Sequence, residues 1–204
     1  MTAAPPLLDV RHLGKRFGRH AVLEDVSLSV GRGELVGVTG ENGAGKSTLL
    51  RIVAGRLSPD RGDVRLQGRL GYCPQEPLVF KRLTVEENVA CFAAAYGMAS
   101  WRDGMGELLA RYGFGAYLRA LVRDLSAGTR QKLNLVLALL HQPELLLLDE
   151  PYAAFDWETY LLFWDHAEAL RATGCGLLVV SHLIYDRARF DRVCALRAGR
   201  LSCS

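Results

Sequence analysis

The sequence has no long hydrophobic run. Its richest apolar stretches, Leu133–Leu140 and Leu145–Leu148, fall far short of the ~18–20 residues that a bilayer-spanning helix needs. The chain is therefore not expected to cross a membrane by itself. Net charge is also scarce: 25 basic residues against 22 acidic ones leave +3, with no basic run longer than Lys15-Arg16 or Lys81-Arg82. A nucleic-acid footprint would show clustered basic stripes, so no nucleic-acid partner is expected. The five cysteines (Cys73, Cys91, Cys175, Cys194 and Cys203) form no C-x-x-C pair and no His/Cys cluster. An odd, widely spaced set predicts reduced thiols in a reducing compartment and argues against cysteine-bound metal. The opening Met1-Thr2-Ala3-Ala4-Pro5-Pro6 lacks the charged and then apolar segments of a secretory leader. Internal repeats, low-complexity tracts and long linkers are missing too.

What is present is a chain of 204 residues, half of them apolar, enough for one domain or one domain with a small lobe. Its organising stretch is Gly40-Glu41-Asn42-Gly43-Ala44-Gly45-Lys46-Ser47-Thr48. The apolar run Leu35–Thr39 precedes it and the helical pattern Leu49–Ala54 follows, the strand–loop–helix context that gives G-x-x-x-x-G-K-[ST] its meaning. Glycines let successive backbone N–H groups turn inward as an anion nest, and the following helix points its positive end at the same place. Lys46 can reach outer phosphates, and the Ser47 hydroxyl suits a hard cation such as Mg²⁺. This is a nucleotide site.

Around it, Leu7–His12 reads as a strand, Lys15–Gly18 as a polar turn, and Val26–Val30 as a half-buried antiparallel strand with period two. Short strands are expected near Val64–Leu66 and Leu70–Cys73. From Thr84 the period turns helical, opened by the capping box Thr84-Val85-Glu86-Glu87, with Val89, Phe92, Ala93 and Tyr96 on one face. Further helices are expected over roughly Asp103–Tyr112, from Leu125-Ser126-Ala127-Gly128-Thr129 to about Leu140, and over Trp157–Arg171. Leu145–Asp149 and Leu177–Ser181 read as buried strands, and Arg192–Leu196 with Arg200–Ser204 as a closing edge pair. Strands alternating with helices at both ends indicate an α/β fold with a parallel sheet. The helical stretch inserted midway looks like a separate lobe.

Leu145-Leu146-Leu147-Leu148-Asp149-Glu150-Pro151 brings two acids to the end of a buried strand, where parallel sheets place ligands. Strand side chains alternate, so the two carboxylates diverge. Asp149 suits a Mg²⁺ shell, and Glu150 suits accepting a proton from, or orienting, an attacking water.

Five segments in this order resemble the ATPase domain of ABC transporters: the phosphate loop, Gln75 after Tyr72-Cys73-Pro74, Leu125–Thr129, the Leu145–Glu150 strand with Pro151, and Ser181-His182. The resemblance implies a P-loop NTPase of ABC type, with a mixed sheet core, N-terminal antiparallel strands and an inserted helical subdomain. Residues 1–75 and 141–204 would form the core, and 76–140 the helical subdomain with the signature helix. It implies ATP and Mg²⁺ as cofactors, with Ser47, Gln75 and Asp149 around the metal and with Glu150, His182, Gln75 and Lys46 as the catalytic set. Gly40, Glu41, Asn42, Gly43, Ala44, Gly45, Lys46, Ser47 and Thr48 would hold the phosphates, and Phe17 would stack on adenine. Ser126, Ala127 and Gly128 would bind the γ-phosphate held by a second subunit, and Asp156 would end the D-loop Ala153–Asp156.

Two subunits would then close head to tail around shared nucleotide. Their partner would be a membrane-spanning subunit docked on the helical lobe (about Glu76–Asp124), holding the chain at the inner face of the cell membrane. The stretch Leu125–Leu140 with His141-Gln142-Pro143 is similar to ATPases of ABC-2-type exporters, which implies export. A soluble ABC-type ATPase acting on ribosomes or DNA is the alternative, and a nucleotide-gated regulator without turnover a third class. The sequence departs from the family at three places. Ala127 stands for the common glycine, Thr129 for the common glutamine, and Tyr152 for a small polar residue. The short interval from Lys46 to Gln75 implies a trimmed hairpin between them.

Overall fold

A computed structural model describes residues 5–99 and 102–203. Three antiparallel strands come from the first third of the chain: β1 (Leu8–Phe17), β2 (His20–Val30) and β4 (Arg61–Leu66), in the order β2-β1-β4. The larger sheet comprises β3 (Leu35–Thr39), β5 (Leu70–Cys73), β6 (Leu145–Asp149), β7 (Gly176–Ser181), β8 (Arg192–Arg197) and β9 (Arg200–Cys203). Its order is β5-β6-β7-β3-β8-β9, parallel except for β9. The helices are α1 (Lys46–Val53), α2 (Val85–Ala95), α3 (Arg102–Arg111), α4 (Ala127–Leu139) and α5 (Trp157–Ala172).

Period two decides which core each strand residue enters. Leu145, Leu147, Leu178 and Val180 point to one face, where α1 and the antiparallel sheet cover them. Leu146, Leu148, Leu177 and Val179 point to the other, against α4 and α5. Strands covered on both faces read as continuous apolar runs, which is why β6 is four leucines. Truncating one of these fully buried leucines to alanine would cost about 2–5 kcal/mol.

The expected capping box is present: the Thr84 hydroxyl accepts from the Glu87 N–H at 3.2 Å, and the Glu87 carboxylate accepts from the Thr84 N–H at 2.7 Å. Two expectations fail at the N-terminal sheet. Lys15–Phe17 belong to β1 rather than to a turn, and β2 starts at His20, well before Val26. The cause is irregular register, which shifts three times between Val10 and Arg16, with His12 and Asp25 both at positive φ. Such bulges erase the alternation that marks a strand. The charged end of β1 is tied down instead by Asp60, which accepts from Lys15 Nζ (2.9 Å) and from the Arg16 N–H (2.7 Å).

A third expectation also fails. Cys194 and Cys203 are joined by a disulfide across β8 and β9, leaving Cys73, Cys91 and Cys175 free among the described residues. The pairing Arg197↔Arg200 at the turn puts Cys194 directly opposite Cys203, with Cα atoms 3.9 Å apart. The signal lay in symmetric spacing about Ala198-Gly199 rather than in a C-x-x-C pattern. Ser204, expected in the closing pair, lies outside the described residues.

Candidate nucleotide site

The central strand β3 ends at Thr39 and releases the chain into the loop Gly40–Gly45 between β3 and α1. Glycine is required where the loop passes other backbone. A Cβ on Gly40 would lie 2.5 Å from the Leu196 carbonyl oxygen, and one on Gly45, at φ +103°, would lie 2.9 Å from that of Val22. Gly45 is the N-cap of α1, which has no side-chain cap and no acid in its first turn. The partial positive charge of that helix end is left for an anion. Lys46 is buried, and its Nζ donates to the carbonyls of Gly40 (2.8 Å) and Glu41 (3.0 Å), curling the loop around its own cation.

Strand β6 delivers the acids. Asp149 is buried, and its Oδ1 has no hydrogen-bond partner. Burial pushes its carboxyl up, opposed by the neighbouring Ser47 hydroxyl and with the Glu150 charge adding to the rise. Glu150, one residue past the strand, adopts φ +48°, a left-handed conformation that costs a non-glycine residue energy and is most often retained at functional positions. Its N–H still donates to the Val180 carbonyl at 2.9 Å, so the kink turns the side chain towards the neighbouring strand end. There Oε1 accepts from the His182 N–H at 2.5 Å, and Oε2 from the Ser181 hydroxyl at 2.8 Å. His182 Nδ1 lies 3.2 Å from both carboxylate oxygens.

A cavity of about 500 Å³ brings together Lys46, Ser47, Thr48, Gln75, Asp149 and Glu150 beside the loop residues Asn42, Gly43 and Gly45. A neighbouring cavity of about 920 Å³ is lined by Gly40, Glu41, Asn42, Gly43, Ala44 and His182. The expected cluster is thus divided by the phosphate loop, with His182 opening on the side away from Gln75. Phe17 lines neither cavity. It stands exposed at the hairpin end, with Lys15 Nζ 5.6 Å from its ring centroid. Its cross-strand partner His20 lines the smaller cavity, a residue that the sequence reading did not single out.

Ser126, Ala127 and Gly128 line neither cavity. Ser126 is the N-cap of α4 and accepts from the Thr129 N–H at 3.1 Å, while the two hydroxyls meet at 2.9 Å. Thr129 therefore adds its own hydroxyl to the cap. A Cβ on Gly128 would lie 2.6 Å from the Ala154 carbonyl oxygen, so glycine lets the loop after β6 pass across the start of α4. Asp156 caps α5, accepting from the Thr159 N–H at 2.8 Å.

A family model described as ABC transporter matches residues 23–153. The chain belongs to the ABC transporter family. It is an ATP-binding cassette of that family, whose ATPase domains hydrolyse ATP. It is 34% identical to Nod factor export ATP-binding protein I of Ralstonia nicotianae over 96% of its own length and 65% of that protein's. It is 30% identical to the probable multidrug ABC transporter ATP-binding protein YbhF of Escherichia coli, over all of this chain and 38% of that one. The cassette thus spans between about two fifths and two thirds of these two relatives. An aliphatic sulfonates import ATP-binding protein, SsuB 2 of Burkholderia cenocepacia, is 41% identical over 95% of this chain and 74% of that one. Among solved structures, an ATP-binding subunit of an ABC transporter superposes with a TM-score of 0.91 at 30% identity. That match covers 97% of this chain and 89% of the other. The antiparallel sheet, the mostly parallel core sheet and the flanking helices are the ABC ATPase fold.

Proposed function

We propose that this cassette powers an exporter by closing on a second cassette around ATP and opening after hydrolysis. The observation that carries the reading is Glu150, fixed between Ser181 and His182 in the cavity that Lys46, Ser47, Gln75 and Asp149 share. Lys46 would release its loop carbonyls to bind the outer phosphates, joined by the inward N–H groups of Gly40–Thr48. Glu150 takes the proton of the attacking water, which Gln75 and His182 orient from its two sides. Phe17 and His20 stand at the hairpin end nearest the loop, where an adenine ring would stack.

Mg²⁺ fits this site. The orphaned Asp149 Oδ1, the Ser47 hydroxyl and the Gln75 amide are hard oxygen donors. When bound, the ion would neutralise phosphate charge. Among the described residues no three His, Cys, Asp or Glu side chains cluster as a metal site, so phosphate and water would complete its shell.

The second half-site is Ser126, Ala127 and Gly128 with the α4 N-terminus, offered to the nucleotide of another subunit. A serine hydroxyl, a glycine backbone and a helix dipole make an anion site outside the cavity of this chain's own phosphate loop. A groove of about 900 Å³ lined by Arg51, Arg56, Tyr72, Gln75, Phe80 and Phe92 is the proposed seat of a membrane-spanning partner. No described helix is long and apolar enough to cross a membrane. The cassette would accordingly lie at the inner membrane face through that partner. Export follows the relatives named for Nod factor and multidrug transport, although the import relative is also similar.

The test is co-purification from membranes together with ATP-driven efflux in vesicles. A multi-spanning companion and nucleotide-dependent efflux are expected. Uptake in place of efflux would overturn export, and stoichiometric association with ribosomes would overturn the transporter reading altogether.

A further inference from the structure

Asn134 interrupts the run of buried apolar residues from Leu133 to Leu139 in α4, and is itself buried. Asparagine is a poor residue for a helix interior, and burying its amide is costly unless the polar atoms find partners. Here they find three. Nδ2 donates to the Pro74 carbonyl at 2.7 Å and to Cys73 Sγ at 3.2 Å, while Oδ1 accepts from the Leu78 N–H at 3.2 Å. The reversed amide would set oxygen against the Pro74 carbonyl and nitrogen against the Leu78 N–H. The network therefore fixes its orientation.

One side chain thus pins both ends of the span Pro74–Leu78, which carries Gln75. Pro74 and Pro77 bring no N–H to this loop. Gln75 is exposed, and its side chain makes no hydrogen bond among the described residues. Its place is set by its backbone. There it lines both the cavity of Lys46, Ser47 and Asp149 and the groove of Phe80 and Phe92. Beyond the span, Phe80 is held separately by Asn88 of α2, whose Oδ1 accepts from the Phe80 N–H at 2.8 Å.

We propose that Asn134 is a positioning residue for Gln75, holding the loop so that the Gln75 amide meets Mg²⁺ and the attacking water. The inference rests on the reading of Gln75 as a ligand of that ion and an orienter of that water. Asn134 touches no reacting atom. It fixes the backbone of a residue that does, and it does so from the helix that Ser126 caps.

Two variants of the full chain test this. Asn134→Leu keeps the size and removes the amide, and Asn134→Ser stays polar but is too short to span both ends. Either one, once folded, carries the measurement. Loss of neutral hydrogen bonds predicts that each lowers kcat about 3- to 10-fold. The Mg²⁺ concentration for half-maximal turnover should rise by about the same factor. The Kd for ATP without Mg²⁺ should stay at the parent value, because the phosphate loop is untouched. The Leu78 amide should exchange with solvent about 3- to 10-fold faster, and the Phe80 amide at the parent rate. If Asn134 acts through Gln75, replacing it in a Gln75→Ala chain costs nothing further. Parent-like kcat and Mg²⁺ dependence, a weakened Mg²⁺-free Kd, or losses that multiply in the double variant would overturn the proposal. Gln75→Ala alone separates the two ideas. Parent-like turnover and Mg²⁺ dependence in that variant defeat the reading of Gln75 itself. A slow Gln75→Ala beside a parent-like Asn134→Leu defeats only the positioning role.

Discussion

The backbone N–H of His182 donates to Glu150 Oε1 at 2.5 Å, tying together the ends of two neighbouring parallel strands. That bond aims a carboxylate whose own backbone is in a disfavoured conformation, so its orientation is held by the surroundings. Replacement by glutamine keeps the shape and removes the base. Glu150→Gln should lower kcat for phosphate release by ~10²–10⁴, the usual scale for losing a general base. ATP binding should persist, and size-exclusion chromatography should show dimers that accumulate with Mg·ATP. A variant that stays monomeric at saturating nucleotide would defeat the two-cassette reading.

Lys46 is expected to act in binding before it acts in chemistry. Its ammonium is already desolvated and bonded to two loop carbonyls, so it both shapes the loop and can reach a phosphate. Charge-assisted hydrogen bonds are worth about 1.5–3 kcal/mol. Lys46→Ala should therefore raise the Kd for ATP by about 10- to 100-fold in titration calorimetry. An unchanged Kd would remove Lys46 from the phosphate site.

Most of this site was legible because its parts are local in sequence. The Gly40–Thr48 loop, the β6 acids and the Thr84 cap each declare themselves within nine residues. Residues that meet only through tertiary contact were harder to see. His20 reaches the cavity because a bulged hairpin folds it there, and Asp60 anchors Lys15 from a distant turn. The Ser181–Glu150 bond needed the β6–β7 pairing before it could be read. Asp156, marked by the family pattern, caps α5 through Thr159, a role that aspartate takes at many helix starts.

The β8–β9 disulfide predicts a redox-dependent stability where reduced thiols were expected. A cross-link between cysteines nine positions apart restricts the unfolded chain by about 2–3 kcal/mol. Cys203→Ser should therefore lower Tm by about 5–10 °C in non-reducing buffer. With excess dithiothreitol the two proteins should melt together. A thiol assay on denatured, unreduced parent protein should find the three free cysteines Cys73, Cys91 and Cys175. Five titratable thiols would show that β9 is held by backbone pairing alone.

His166 gives the fold an acid sensitivity that is independent of the nucleotide site. Tyr112 shares a 3.0 Å hydrogen bond with its Nδ1, and burial, reinforced by the Arg111 charge, pushes the imidazole down to about 4. The unfolded chain titrates this group near 6.5, so between the two values the unfolded state binds the proton and the folded state does not. Stability from this residue is complete above about pH 6.5 and is lost as pH falls towards 4. The gap is worth at most about 3 kcal/mol, and solvent at the half-buried ring reduces it to about 1–2 kcal/mol. Urea unfolding of the parent and of His166→Gln, compared at pH 7 and pH 4.5, should show the parent losing that much more on acidification. Parallel losses would mean that His166 is protonated in the folded protein as readily as in the unfolded chain.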